Sequence, residues 1–383
     1  MRLKQTILFI IIFATISYGQ DIKIGLFYNW KVRAIVSSTV FGSYRLESDN
    51  GKTLLLNPQT IIYISAVGKQ VQIKTRSGIW GTFDKIRITG LKSFNTFRFK
   101  ATKPGLIPRE YEGNFTISVN NGGLKIINTV DLESYIAGVV ESEGGAKASR
   151  EYYKTQAILC RTYALENFHK HDKEGFNLCD HVHCQSYKSR AKKNDIIVEA
   201  TSITRGLIIV DTSLSLITAA FYSNSGGMTS ASEFVWQQPR SYLKSVVDSF
   251  SIGGNNYRWT KKIALSSWKA YLKRNGFRFN ASTKGSDFIK KIYGRKKYYV
   301  FNKDSIPYTK IRSAFKLKSA FFSIDYKDGN IILQGRGYGH GVGLSQEGAM
   351  KMSNKGYTYK EIIKFYYKNV FIVSLRALQF FNM

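Results

Sequence analysis

The chain is 383 residues long and carries 57 lysines and arginines against 26 aspartates and glutamates, a formal charge of +31. Its 43% hydrophobic content suffices for about two cores of ordinary size, and a count of 5 prolines argues against long disordered linkers. No fixed period recurs, which argues against solenoids and propellers, and the positive excess fits an anionic partner such as an acidic glycan or membrane headgroups, or else plain lysine-rich composition.

Residues 1–20 open on Arg2 and Lys4, continue through an apolar run from Ile7 to Ala14 and close on Ser17-Tyr18-Gly19, a small-x-small cleavage pattern. This reads as a secretory signal peptide, because a membrane span needs roughly 20 apolar residues and this run is much shorter. The protein is therefore expected to be exported, to the periplasm or cell envelope. Removing the two charges of that segment from +31 leaves +29 on the mature chain. An exported chain meets little nucleic acid, and the basic residues are scattered rather than gathered into one arm, so nucleic acid is not an expected partner.

From 21 to 129, alternating stretches such as Lys31 to Val36, Thr60 to Ile64, Val71 to Thr75 and Asn114 to Val119 are separated by Gly, Asn and Asp turn signals. They predict a β-rich N-terminal region. At 130 the character changes, and residues 130–383 are expected to form an α+β unit. Asp131 is a natural N-cap for a helix with Leu132, Tyr135, Ile136, Val139 and Val140 at helical spacing, ending at Gly144-Gly145. Ser149 caps a second helix, running to about His169 with Ala157, Cys160, Ala164 and Phe168 on one face. A short helix beyond Asn194 and strands at Leu207 to Val210 and Leu216 to Tyr222 follow, then a helix at Leu265 to Arg274. Strands at Phe321 to Tyr326 and Asn330 to Gln334, a helix through Ala349 and a last helix opening on the capping box Thr358-Tyr359-Lys360-Glu361 complete the order.

Glu143 falls at the end of the first of these helices, where the negative pole of the macrodipole opposes ionisation and raises a carboxyl pKa. A carboxyl kept protonated near neutral pH can act as a general acid. Glu141, two residues earlier, points to another side of the helix and is the natural control. In Gly337 to Gly343 glycine occupies every second position around His340, which allows close approach of a ligand; no Gly-Lys-Ser/Thr ending makes it a phosphate loop. The loop Ser223 to Thr229, with Ser223, Ser225 and Gly226, is rich in hydroxyls and glycine and suited to hydrogen-bonding a sugar. Either segment can equally be an ordinary turn.

His169, His171, Cys179, His181, His183 and Cys184 place four of the five histidines and two of the three cysteines within one short segment. A structural zinc would take two thiolates and two imidazoles, with His171, Cys179, His183 and Cys184 as the set. A Cys179–Cys184 disulfide is the alternative in an oxidising compartment, and Cys160 is expected to be a buried free thiol in either case.

Four blocks resemble the SpoIID/LytB family of sporulation and cell-wall proteins, in the family's order: Val130 to Glu143, Tyr153 to Leu165, Phe221 to Thr229 and Gly335 to Ala349. The resemblance implies an α+β catalytic domain and lytic transglycosylase activity on peptidoglycan glycan strands lacking stem peptides, with Glu143 as the catalytic acid/base. It places Lys154, Gln156 and Arg161 on the helix facing the cleft, and His340, Ser345 and Gln346 on the glycine-rich block. Some members are similar in carrying zinc in the segment that matches Cys179 to Cys184. Glu143-Gly144-Gly145 stands where the family has Glu-Met-Pro, a local departure, and residues 21–129 fall outside the resemblance.

One carboxyl group is enough for a transglycosylase. It protonates the glycosidic oxygen and then, as carboxylate, takes the proton of the sugar's own C6 hydroxyl as an anhydro ring closes, whereas a hydrolase ordinarily uses two. That chemistry needs no cofactor. A glycan stripped of peptide bears a free lactyl carboxylate on each muramic acid, a polyanion suited to a basic protein, with Arg161 as one expected contact. The LytB branch gives the alternative: a non-catalytic wall-binding protein that enhances a cell-wall amidase.

Overall fold

The computed structural model describes residues 20–236, 238–280 and 282–381; the expected signal peptide, but for Gln20, lies outside them. The N-terminal β-rich expectation holds: strand follows strand from Asp21–Leu26 to Gly123–Asp131 before the first helix begins. They form two sheets. One contains, in spatial order, Leu178–Cys179, Asp21–Leu26, Gly123–Asp131, Asn114–Asn120, Lys85–Gly90, Tyr44–Ser48 and Thr53–Leu56. The other contains Arg109–Glu112, Thr96–Lys103, Ala34–Phe41, Ile61–Val67, Gln70–Thr75 and Gly78–Phe83. Alternation sorts the faces: Tyr44, Leu46 and Ser48 are buried while Arg45 and Glu47 face water. Their inward residues, among them Ile24, Ile64, Ile88, Phe97, Phe99 and Ile117, are fully buried.

This core does not break at residue 130. Helices α1 (Leu132–Gly144), α2 (Arg150–Glu166) and α3 (Asp195–Ile203) contribute Tyr135, Ile136, Val140, Leu159 and Ile197 to the same apolar cluster. The two-residue strand Leu178–Cys179 pairs in parallel with the edge of Asp21–Leu26 and carries the Cys/His segment onto the first sheet.

A second, separate core lies between residues 258 and 336. Its three-stranded sheet runs Arg258–Ala264, Asn330–Arg336, Phe322–Lys327, and α4 (Leu265–Arg274) and α5 (Tyr308–Ala314) pack around a fully buried Trp268 stacked on Phe315 at 5.7 Å. The chain then returns through Leu344–Ser345, α6 (Gln346–Asn354), α7 (Tyr359–Tyr366), the strand Phe371–Ser374 paired with Leu207–Val210, and α8 (Leu375–Phe381). Among the described residues no helix is long and apolar enough to cross a membrane.

Two elements differ from the sequence reading. The second helix stops at Glu166 rather than about His169, because Asn167 folds its side-chain amide back onto the Tyr163 carbonyl at 3.0 Å. Of Leu216 to Tyr222 only Phe221–Tyr222 is a strand, since its parallel partner Leu344–Ser345 is itself two residues long.

Candidate functional site

The first helix is capped as its sequence requires, with the Asp131 carboxylate accepting from the Glu133 and Ser134 amides at 3.0 and 3.1 Å. Its apolar stripe anchors it on the core and leaves Glu143 in the last turn, half-buried. One carboxylate oxygen, Oε1, accepts the Ser186 amide at 2.7 Å. Burial lifts the Glu143 carboxyl above its ordinary value, while the Ser186 N–H and the Lys188 charge pull it down; burial outweighs both, so desolvation is the chief cause of the rise.

The departure at Gly144 has a physical counterpart. A Cβ there would lie 2.9 Å from the ring of Tyr152, so the tyrosine fills the space a side chain at 144 would occupy. Tyr152 is buried and donates to Gln156 Oε1 at 3.3 Å, and Gln156 donates to the Cys160 sulfur at 3.4 Å. Gln156 is thus interior rather than exposed on a cleft wall. Cys160 is buried and unoxidised, its thiol pushed up to about 12 by burial.

Arg161 corrects the expectation of a substrate contact. It is fully buried, forms a bidentate pair with Glu133 (Nε–Oε1 2.9 Å, Nη2–Oε2 2.5 Å) and donates through Nη1 to the Leu207 carbonyl at 3.0 Å. It ties α1, α2 and the strand at Leu207 together, and its planar fork is spent on protein acceptors. Lys154 is mostly buried and pairs with Glu151 at 2.7 Å, whose other oxygen accepts the Tyr359 amide at 2.8 Å, so this cation sits on the seam with α7. Glu141 is not a free-standing control either, because its buried Oε2 accepts the amides of Lys192 and Lys193 at 3.0 and 2.7 Å.

The glycine-rich block and the serine loop are knitted together. Asn224 and Tyr338 exchange backbone hydrogen bonds at 3.1 and 2.9 Å, and Gly226, at φ +70, lies against the backbone of Arg336 and Gly337. Ser345 is fully buried; its hydroxyl caps α6, accepts the Ser225 amide at 3.1 Å and shares a proton with Ser251 at 2.7 Å. Ser225 is also fully buried and Ser223 accepts from Asn256 at 3.0 Å. His340 donates through Nε2 to the Phe221 carbonyl at 3.1 Å and accepts the Val342 amide on Nδ1 at 3.1 Å, which fixes the neutral tautomer. Burial, reinforced by Arg312 and Arg295, holds its pKa down at about 4. Gln346 is the link to the carboxylate, donating to the Glu143 backbone carbonyl at 3.3 Å. The structure therefore brings Glu143, Gln346, Ser345 and the serine loop into one assembly, and spends Ser225, Ser345, Gln156 and Arg161 on holding it. Sequence reading missed Ser186, for which no signal exists because any residue but proline offers an amide. It also missed Asn224, Asn256 and Glu347, a polar knot with the Glu347 carboxylate accepting both asparagine amides at 2.7 and 2.6 Å.

The ligand atoms of His171, Cys179, His183 and Cys184 all lie within 4.8 Å of one another. Cys184 Sγ is 3.4 Å from His171 Nε2 and 3.9 Å from His183 Nδ1, and Cys179 Sγ is 3.8 Å from His183 Nδ1. A tetrahedral zinc with its usual sulfur and nitrogen bond lengths has ligand–ligand edges of about 3.3–3.8 Å, so these three pairs suit such an ion, and the widest separation in the set, up to 4.8 Å, would close by about 1 Å around it. His171 Nδ1 is held by Glu174 Oε1 at 2.6 Å, the kind of outer contact that orients a ligating ring. The cysteines are unpaired, and their mutual hydrogen bond lowers the Cys184 thiol to about 7 while raising that of Cys179. His169 turns away to Asp172 at 2.7 Å.

A family model described as SpoIID, Stage II sporulation protein, matches residues 120–210. The Stage II sporulation protein D of Bacillus subtilis is 30% identical over 262 residues, 63% of this chain and 74% of that protein. The protein of the same name from Bacillus amyloliquefaciens is 28% identical over 304 residues, 74% of this chain and 85% of that protein. The amidase enhancer of Bacillus subtilis is 25% identical over 385 residues, 87% of this chain and 50% of that protein.

Proposed function

The chain belongs to the Stage II sporulation protein D family, and from that premise we propose that it is an exported peptidoglycan lytic transglycosylase that cuts glycan strands lacking stem peptides, with Glu143 as the acid and then the base. Its role is cell-wall related. The observation that carries the reading is the half-buried carboxyl of Glu143, fixed by the Ser186 amide and raised by burial. Such a group donates its proton to the glycosidic oxygen. The resulting carboxylate takes the proton of the C6 hydroxyl, which closes on C1 as the glycosidic bond breaks, and no water is consumed. His340, neutral and doubly hydrogen-bonded, positions the glycine-rich block rather than exchanging protons.

Zinc at His171, Cys179, His183 and Cys184 belongs to this reading as a structural ion, since four protein ligands close the coordination sphere. Cys184 is two residues before Ser186, so the ion would steady the segment whose amide holds Glu143.

Similarity to an amidase enhancer favours a second reading, in which the chain binds wall glycan and stimulates an amidase without cutting. Product chemistry separates the two. Incubation of the mature protein with peptide-free glycan yields fragments ending in anhydromuramic acid under the first reading. Binding without fragments, together with stimulation of a separate amidase, replaces it by the second.

A further inference from the structure

The second core presents its cations to the glycine-rich block without acids to match. Arg295 is buried, its Nε donating to the Met228 carbonyl at 2.7 Å and its Nη2 to the Ser225 carbonyl at 2.9 Å. Its guanidinium lies against Gly341, where a Cβ would come 2.5 Å from Nη1. Arg336 and Arg295 both stand against one ring, that of Phe321, at 4.1 and 4.9 Å from its centroid. Arg312 stands close enough to repel Arg295 and His340 and reaches the Leu317 carbonyl with Nε at 3.3 Å. Lys318 adds a fourth cation over the half-exposed ring of Tyr338 at 5.7 Å.

Among the described residues none of these four forms an ion pair. The protein acceptors of the three arginines are all backbone carbonyls, which leave Nη1 of Arg295, both Nη of Arg312 and Nη1 of Arg336 uncommitted. Like charges gathered together are destabilising unless an anion answers them, most of all at Arg295, the one of the four that is buried. Arg161, expected to supply such a contact, is closed off by Glu133. The open guanidiniums sit instead beside the block that reaches Glu143 through Gln346.

We propose that Arg295, Arg312 and Arg336 form a carboxylate subsite beside Gly339–Gly341 that receives the lactyl carboxylate of a muramyl residue in peptide-free glycan. The subsite rests on the glycan reading above and names the group through which the substrate class is told from a neutral polymer. An amide-linked stem peptide removes the charge the arginines seek, so the subsite selects strands whose peptides have been cut away. Planar guanidiniums suit this task because they accept a carboxylate edge-on through two parallel N–H donors.

The test uses the mature chain carrying Glu143→Gln, so that binding is read without cleavage, and compares peptide-free glycan with chitin oligomers, which share the sugar backbone but lack the lactyl group. Arg312, half-exposed and holding one carbonyl, is the substitution least costly to the fold. Arg312→Gln should weaken binding to peptide-free glycan about tenfold and leave chitin unchanged, as loss of one charge-assisted hydrogen bond predicts. Arg312→Lys, which keeps the charge, should recover part of the loss, and Arg336→Gln should repeat the selective effect. An equal loss on both polymers makes the arginine a scaffold residue and overturns the subsite, as does no loss on either. A parent protein that binds neither polymer overturns the glycan reading as well, an outcome distinct from a parent that binds both alike and so lacks only the subsite.

Discussion

Replacing Arg161 by methionine isolates its structural role, since methionine follows the same path through the interior without the charge. The change leaves Glu133, whose side chain is 12% exposed, facing an apolar neighbour with only the Gly206 amide at 3.3 Å to answer it. Breaking a buried pair by removing one partner costs about 3–5 kcal/mol, and the residual exposure and remaining amide place this case near about 3 kcal/mol. With an unfolding entropy of roughly 2.1 cal/mol/K per residue over about 360 residues, that corresponds to a fall in melting temperature of about 4 °C. The double variant Arg161→Met/Glu133→Gln should lose less than the sum of the singles, because it strands no charge. Calorimetry of the four proteins measures the coupling, and affinity for peptide-free glycan against chitin completes the assay. A methionine variant of unchanged melting temperature whose preference for the lactyl-bearing polymer has vanished would refute the burial argument and return Arg161 to the substrate.

Glu143→Gln should abolish release of anhydromuramyl fragments while glycan binding persists. It should also raise the melting temperature at neutral pH. Burial raises the folded-state pKa of Glu143, so the wild type carries a penalised charge above that pKa and none below the ordinary value of 4.5; the variant's advantage should therefore shrink as pH falls toward 4.5. A pH-independent difference would disprove the assignment of the shift. Glu141→Ala strands the amides of Lys192 and Lys193, which predicts a loss of about 2–4 kcal/mol in denaturant unfolding, with fragments of unchanged chemistry from the molecules still folded. Elemental analysis of mature protein should find about one zinc per chain, with Cys179 and Cys184 shielded from alkylation until a chelator is added. Chelation should then speed hydrogen exchange at Ser186; a metal-free protein with a Cys179–Cys184 disulfide would sink the zinc reading.

What could be read from the sequence was what depends on local pattern. The caps at Asp131, Ser149 and Thr358 are where the side-chain chemistry puts them, and the alternation of the N-terminal stretches gives the faces of its strands. The Cys/His segment was legible because its donors are rare residues crowded together. Contacts between distant segments were not. Arg161 looks like a free cation on an amphipathic helix until Glu133, 28 residues earlier, is folded against it. The unit between residues 258 and 336 was legible only in part: its helix Leu265–Arg274 and two of its strands follow from pattern, but its hairpin Tyr298–Phe301 to Asp304–Pro307 and helix α5 lie among lysines that interrupt any apolar period, and only the assembled core around Trp268 joins them.

The placement of Glu143 shows why so many residues of the matching blocks are buried. A single carboxyl that must donate and then accept a proton needs fixed distances to two oxygens of a sugar, and an error of 1 Å in such a site costs about a hundredfold in rate. The helix end alone cannot supply that precision, because Gly144 and Gly145 make the following backbone the most permissive of the helix. Here the freedom is removed from three directions. Tyr152 fills the space beside Gly144, Gln346 holds the Glu143 carbonyl, and the Ser186 amide holds the carboxylate itself. Each restraint comes from a different segment, and each segment is anchored in turn: α6 through the buried Ser345 hydroxyl, and the Ser186 segment through Cys184 and the Cys/His cluster. On the proposed reading, the buried serines and the neutral histidine are the supports of the one group that reacts, and recognition of substrate falls to Arg295 and Arg312, outside the matching blocks, together with Arg336 at the start of the last of them.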